Sequence, residues 1–192
     1  MNKTVLVLLI VLICCSSIIT IWALPRLLPP TYRAYPINLS NLLISIEVFP
    51  PGWQLEGIPE GEPQRSDLDW GKENMVARFQ LRGHKGYATH YIFEFKNEAS
   101  ARYGLFWIKR QGFLTPLTIN SPDGWTYQSP FADEWIFGCT DEVSCTSLTR
   151  YNEFISVFRT SIDPQYRSFA DLEVILRAID GKMNKYLKID PK

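Results

Sequence analysis

From Val5 to Leu24 the chain carries no charged side chain. About 20 such residues, rising 1.5 Å each, make a helix of about 30 Å, the thickness of a bilayer's hydrocarbon core. That length fits an uncleaved anchor better than a cleavable signal, whose apolar core runs about 7 to 15 residues before a small-x-small site. The nearest such site, Ile21-Trp22-Ala23, sets a bulky indole beside the cut. Cys14 and Cys15 do not fit lipoprotein acylation either, because their small neighbours Ser16 and Ser17 follow them instead of preceding them. Residues 1–24 are therefore expected to form a transmembrane anchor, ahead of the secreted and lipoprotein alternatives. Lys3 on one side and Arg26 and Arg33 on the other leave the positive-inside bias nearly balanced.

Residues 25–36 hold Pro25, Pro29, Pro30 and Pro36 with two arginines, which makes a stiff spacer. Residues 37–190 then suffice for one domain with a substantial core. The 20 basic and 20 acidic residues balance, so there is no electrostatic footprint for nucleic acid. Beyond the anchor only Cys139 and Cys145 remain, in GCTDEVSC. That spacing suits two strands facing across a short loop, and an even pair in an exported chain is normally bridged. A Cys139–Cys145 disulfide is therefore expected, with the domain outside the cytoplasm.

In LLISIEVFPPGW, Leu42, Ile44, Ile46 and Val48 alternate with Leu43, Ser45, Glu47 and Phe49, the period of a strand that Pro50, Pro51 and Gly52 stop. A strand closing on such a Pro-Gly-Trp turn, with the element order that follows, resembles exported bacterial domains of the PsbP-like class and lipoprotein-type α+β domains. The resemblance implies an α+β sandwich used for binding or complex assembly, with no catalytic residues to carry over.

Met75, Ala77, Phe79 and Leu81 alternate with Val76, Arg78, Gln80 and Arg82, and a second run spans Tyr87 to Phe95, giving a hairpin with one buried face. Asn97 is placed to cap a helix with Ala99, Tyr103, Phe106, Trp107 and Arg110 at helical spacing. The second half repeats that order. Strands are expected over 134–140, 144–150 and 153–162, with a tight turn at Tyr151-Asn152. Ser168 and Asp171 then make a capping box for a helix whose stripe is Leu172, Ile175, Leu176, Ile179, Met183, Tyr186 and Leu187. Gly181 inside it suggests a bend or close packing. The fold class expected is α+β, an antiparallel sheet packed against two helices in strand-strand-helix units.

The chemistry on offer is sparse. His84 falls in a turn and His90 on a strand, read as a surface position, and no further ligands converge on them, so no metal or other cofactor is expected. The segment 54–74 is acidic without calcium-loop spacing and reads as a solvated loop. No nucleophile elbow, zinc-protease helix, phosphate loop or dinucleotide fingerprint occurs. Aromatic content is high, at 14%, and the loop FLTPLTINSPDGWTYQSPF between Phe113 and Phe131 is nearly uncharged. Loops that long are usually functional or hide an extra strand. Leu117, Trp125, Tyr127 and Phe131 are the candidate binding residues.

The expectation is a single-pass, membrane-anchored, extracytoplasmic binding or assembly module, with no enzymatic activity. Its partners would be the membrane, through the N-terminal helix, and another membrane or envelope protein. A carrier of a small apolar ligand is one alternative, and a small hydrolase or transferase another.

Overall fold

The computed structural model describes residues 27–30, 36–61, 71–83, 86–110, 125–140, 144–161, 168–189 and 191. The expected anchor at 1–24 and most of the spacer lie outside them, and among the described residues no helix is long and apolar enough to cross a membrane. Six strands, β1 (Trp53–Glu60), β2 (Gly71–Leu81), β3 (Tyr87–Phe95), β4 (Glu134–Thr140), β5 (Ser144–Tyr151) and β6 (Phe154–Ser161), form one sheet. Helix α1 (Glu98–Arg110) follows β3 and helix α2 (Phe169–Leu187) follows β6. The strand order is β1-β2-β3-β6-β5-β4, every pairing antiparallel, which bears out the α+β class.

The two helices cover opposite faces of the sheet. Along β6, Phe154 and Phe158 point into a core shared with Leu172, Ile175, Leu176, Ile179 and Met183 of α2. Ile155 and Val157 point the other way, against Ala101, Leu105 and Ile108 of α1. With both faces covered, β5 and β6 lose the polar face that an alternating strand gives to water, and nearly all their residues are buried. The halves therefore repeat in element order but not in the side each helix takes.

The strand expected over 42–48 is not present. Leu39–Asn41 and Ile46–Val48 are single 3-10 turns, the first capped by the Asn38 side chain accepting from the Ser40 N–H at 3.0 Å. Leu39, Leu42 and Leu43 are all buried. That spacing is helical, and a strand with one covered face cannot bury both Leu42 and Leu43. The PsbP-like resemblance loses the strand it placed ahead of the proline turn. Among the described residues the first strand starts instead at Trp53 and runs to Glu60, through the first part of the segment 54–74 read as a solvated acidic loop. β1 is an edge strand with only Trp53 buried, so its polar sequence reflects exposure and not irregular structure.

The Asn97 cap forms, its Oδ1 accepting from the Ser100 N–H at 2.9 Å. The buried face of α1 is Ser100, Ala101, Tyr103, Gly104, Leu105 and Ile108, while Phe106 is 48% exposed and Trp107 half-buried, contrary to the expected stripe. Small residues decide this, because Gly104 lies against the Phe95 ring and the aromatics are displaced from the helix's inner line. At the far end Ser168 and Asp171 make the expected capping box. Gly181 is exposed with open space around it, so neither close packing nor a break in α2 accompanies it. Tyr186 lies at the rim, 36% exposed, and Asp180 takes a buried place on the helix instead.

Candidate functional site

β4 is an edge of the sheet, and the segment 125–128, which belongs to no helix or strand, packs against it through Trp125 and Tyr127. Between them lies an open groove of about 310 Å³ lined by Trp125, Thr126, Tyr127, Gln128, Trp135, Ile136 and Phe137. Alternation along β4 sends Trp135 and Phe137 to the α2 side of the sheet, where Trp125 stacks on Phe137 with centroids 4.6 Å apart. Tyr127 meets Trp135 edge-on at 5.7 Å, and Trp125 meets Phe169 of α2 at 6.3 Å. Such offset and edge-to-face contacts hold aromatic clusters together beyond their burial alone.

The groove is fixed from beneath by Asp180, which is 2% exposed. Its carboxylate accepts from the hydroxyls of Tyr127 and Tyr151 and from Ser129 Oγ, the last at 2.7 Å. A carboxylate taken from water is costly unless its oxygens are filled. Here three hydroxyls fill them, and the result clamps the 125–131 segment, β5 and α2 together. Burial, with the neighbouring carboxylate, raises both tyrosine pKa values well above the ordinary phenol value, so both remain donors across the physiological range. Ser129 Oγ also accepts from the Ala132 N–H at 3.1 Å, and the Arg177 guanidinium lies 4.5 Å over the Tyr127 ring.

The candidate residues thus separate. Tyr127 is core, 5% exposed. Trp125 and Phe131 are half-buried against that core, with Trp125 Nε1 donating to the Tyr127 carbonyl at 3.0 Å. Thr126 and Gln128 form the exposed rim. Leu117 lies outside the described residues. Asp180 and Trp135 were not among the candidates from sequence. Asp180 stands four residues after Leu176 and three before Met183, and that position on an apolar stripe is the signal that could have found it.

His90 is not a surface residue. It is fully buried, its Nδ1 accepting from the Ile44 N–H at 3.1 Å and its Nε2 2.9 Å from Ser156 Oγ. With Nδ1 occupied as an acceptor, the proton sits on Nε2 and is donated to Ser156. Burial, and secondarily the Lys182 charge, push its pKa from 6.5 down to about 3. Nδ1 ties the N-terminal segment to the sheet, and Nε2 ties β3 to β6 within it. His84 lies outside the described residues, among which no group of three or more His, Cys, Asp or Glu side chains could hold a metal ion. Cys139 and Cys145 face each other in register across β4 and β5 and are joined by a disulfide.

No family model matches this chain, and no curated protein matches it. Among solved structures, the extracellular domain of PknH from Mycobacterium tuberculosis is similar at 14% identity with a TM-score of 0.45, over 80% of this chain and 100% of that one. The class that the described residues define is a six-stranded antiparallel α+β domain with one α-helix on each face of the sheet.

Proposed function

We propose that this chain is a membrane-anchored, extracytoplasmic binding or assembly module that engages an envelope protein through the groove beside β4. The observation that carries this is a preformed aromatic groove on an edge strand, held rigid by the Asp180 clamp and rimmed by exposed Thr126 and Gln128. Aromatic residues on rigid elements give large contact area at small entropic cost. Asp180 has its carboxylate oxygens occupied by three hydroxyls, which suits a clamp better than an acid or base. The groove is open, which favours a surface contact over a sheltered apolar ligand. The uncharged Val5–Leu24 run supports the anchor.

Tyr127 is a poor test residue, because its truncation strikes the fold. A photo-crosslinking side chain at Gln128 should instead trap a discrete envelope protein in intact cells, and Thr126→Arg should abolish that adduct while leaving the melting temperature unchanged. An adduct that survives Thr126→Arg, or none above that from a crosslinker at Ile58 on the opposite edge, would sink the groove assignment.

A further inference from the structure

We propose that the outer face of α1 lies on an anionic membrane surface, which turns the groove beside β4 away from the bilayer. The inference rests on the anchor reading above and adds the orientation of the domain. The first observation is a short tether. Asn97, at the start of α1, donates from Nδ2 to the carbonyls of Leu28 and Pro29, at 3.2 and 3.0 Å. Leu28 is four residues past Leu24, where the uncharged run ends. A fully extended chain advances at most about 3.6 Å per residue, so Leu28 is held within about 14 Å of the end of that run, and the N-terminus of α1 is one side-chain hydrogen bond beyond it. Leu28 and Pro29 of the spacer are thus bonded to the domain.

The second observation is what the tether presents. Arg102, Phe106, Lys109 and Arg110 are all exposed on α1, Trp107 is half-buried beside them, and Leu27, in the tether, is 78% exposed. The Arg110 guanidinium lies 5.4 Å from the Phe106 centroid. Glu98 is the acidic residue on α1, and it is engaged by Arg102 at 2.7 Å and by the buried Arg150 at 3.4 Å. Lys109 is 3.9 Å from Glu134. Cations with interleaved aromatic and aliphatic groups are the chemistry of a headgroup layer, where rings settle at the interface and basic side chains meet anionic lipid. The tether keeps this face at high local concentration next to that layer, so weak contacts suffice.

The third observation is where the groove then points. Trp135 and Phe137 leave the sheet on the α2 side, whereas α1 packs on the other side. A domain resting on α1 therefore offers its groove to the space beyond the membrane.

The test uses the full chain, with Cys14→Ser and Cys15→Ser, in vesicles of phosphatidylcholine with or without phosphatidylglycerol. A nitroxide is attached through Phe106→Cys or, separately, through Ile58→Cys, the latter 86% exposed on the far edge strand. In phosphatidylglycerol vesicles the label at 106 should become several-fold more accessible to lipid-dissolved oxygen relative to an aqueous nickel chelate, while the label at 58 stays aqueous. Arg102→Glu, Lys109→Glu and Arg110→Glu together should reverse the change at 106. A label at 106 as aqueous as that at 58, in protein that sediments with the vesicles, overturns the orientation and leaves the anchor standing. A label screened from both reagents points to a protein neighbour on this face and also overturns it. A chain that does not sediment with the vesicles overturns both the anchor and the orientation.

Discussion

The hydroxyl of Tyr127 donates to the carboxylate of Asp180, 53 residues further along the chain. With the Ser129 hydroxyl, which donates to the same carboxylate, this bond closes the groove segment onto the long helix and makes stability at the groove a property of hydroxyl count. Tyr127→Phe keeps the ring and its packing while removing one of three donors, and a buried acceptor so deprived costs about 1–3 kcal/mol. Asp180→Leu leaves the Tyr127 and Tyr151 hydroxyls without their acceptor and should cost more, about that amount for each. Urea unfolding of the two variants should rank them in that order. A Tyr127→Phe protein as stable as the parent would show that the clamp does not hold the segment.

His90 sets a pH dependence whose sign follows from its depressed pKa. The folded state takes its proton only near pH 3, whereas the unfolded chain takes it near 6.5. Between those values the unfolded state binds more protons, so the full contribution is present above 6.5 and is lost as pH falls toward 3, at about 1.4 kcal/mol per unit. Protonation puts a hydrogen on Nδ1, where the Ile44 N–H already donates, and so releases the N-terminal turns. His90→Asn keeps a short acceptor for that N–H and does not titrate. Unfolding free energies from pH 7 to 4 should fall less steeply for His90→Asn than for the parent, and parallel curves would refute the assignment.

The meander from β4 to β6 and the capping box at Ser168 were legible because they rest on local rules, an alternation of period two and a side chain reaching its own backbone. Three features were hidden for physical reasons. Leu39, Leu42 and Leu43 obey a helical spacing that overlaps the strand-like alternation of Leu42, Ile44, Ile46 and Val48, and burial against α2 decided between them. β1 is exposed on nearly every residue, so no alternation marks it as a strand. Asp180 and His90 are polar groups whose burial depends on partners 29 to 66 residues away, which no local pattern displays. At the groove, the aromatic residues of the 125–131 segment were visible in sequence, but Trp135 entered only once β4 was seen as its other wall.

The Cys139–Cys145 bridge closes a loop of a few residues across two paired strands. Chain-entropy arguments give such a short loop about 2 kcal/mol of stabilisation. Adding reductant should lower the melting temperature of the parent to that of the Cys139→Ser, Cys145→Ser double variant, which should itself be insensitive to reductant. Intact mass after alkylation, without reductant, should show both cysteines protected in protein recovered from cells. Free thiols there would remove the redox support for an extracytoplasmic domain.

Two helical glycines make opposite predictions. Gly104 faces the sheet, and a Cβ built on it would fall 2.3 Å from Cζ of Phe95, closer than carbon atoms approach. The ring is fully buried and cannot swing aside, so Gly104→Ala must push α1 off the sheet, an overpacking that costs about 1–3 kcal/mol. Gly181 faces solvent with nothing within 4 Å of its hypothetical Cβ, in the middle of α2. There alanine restrains the unfolded chain and favours the helix, so Gly181→Ala should stabilise by about 0.5–1 kcal/mol. Thermal melts of the two variants beside the parent should bracket it from below and above. Stabilisation by both would mean that α1 does not approach Phe95 as closely as described, and destabilisation by both would mean that Gly181 serves a packing role that open space does not explain.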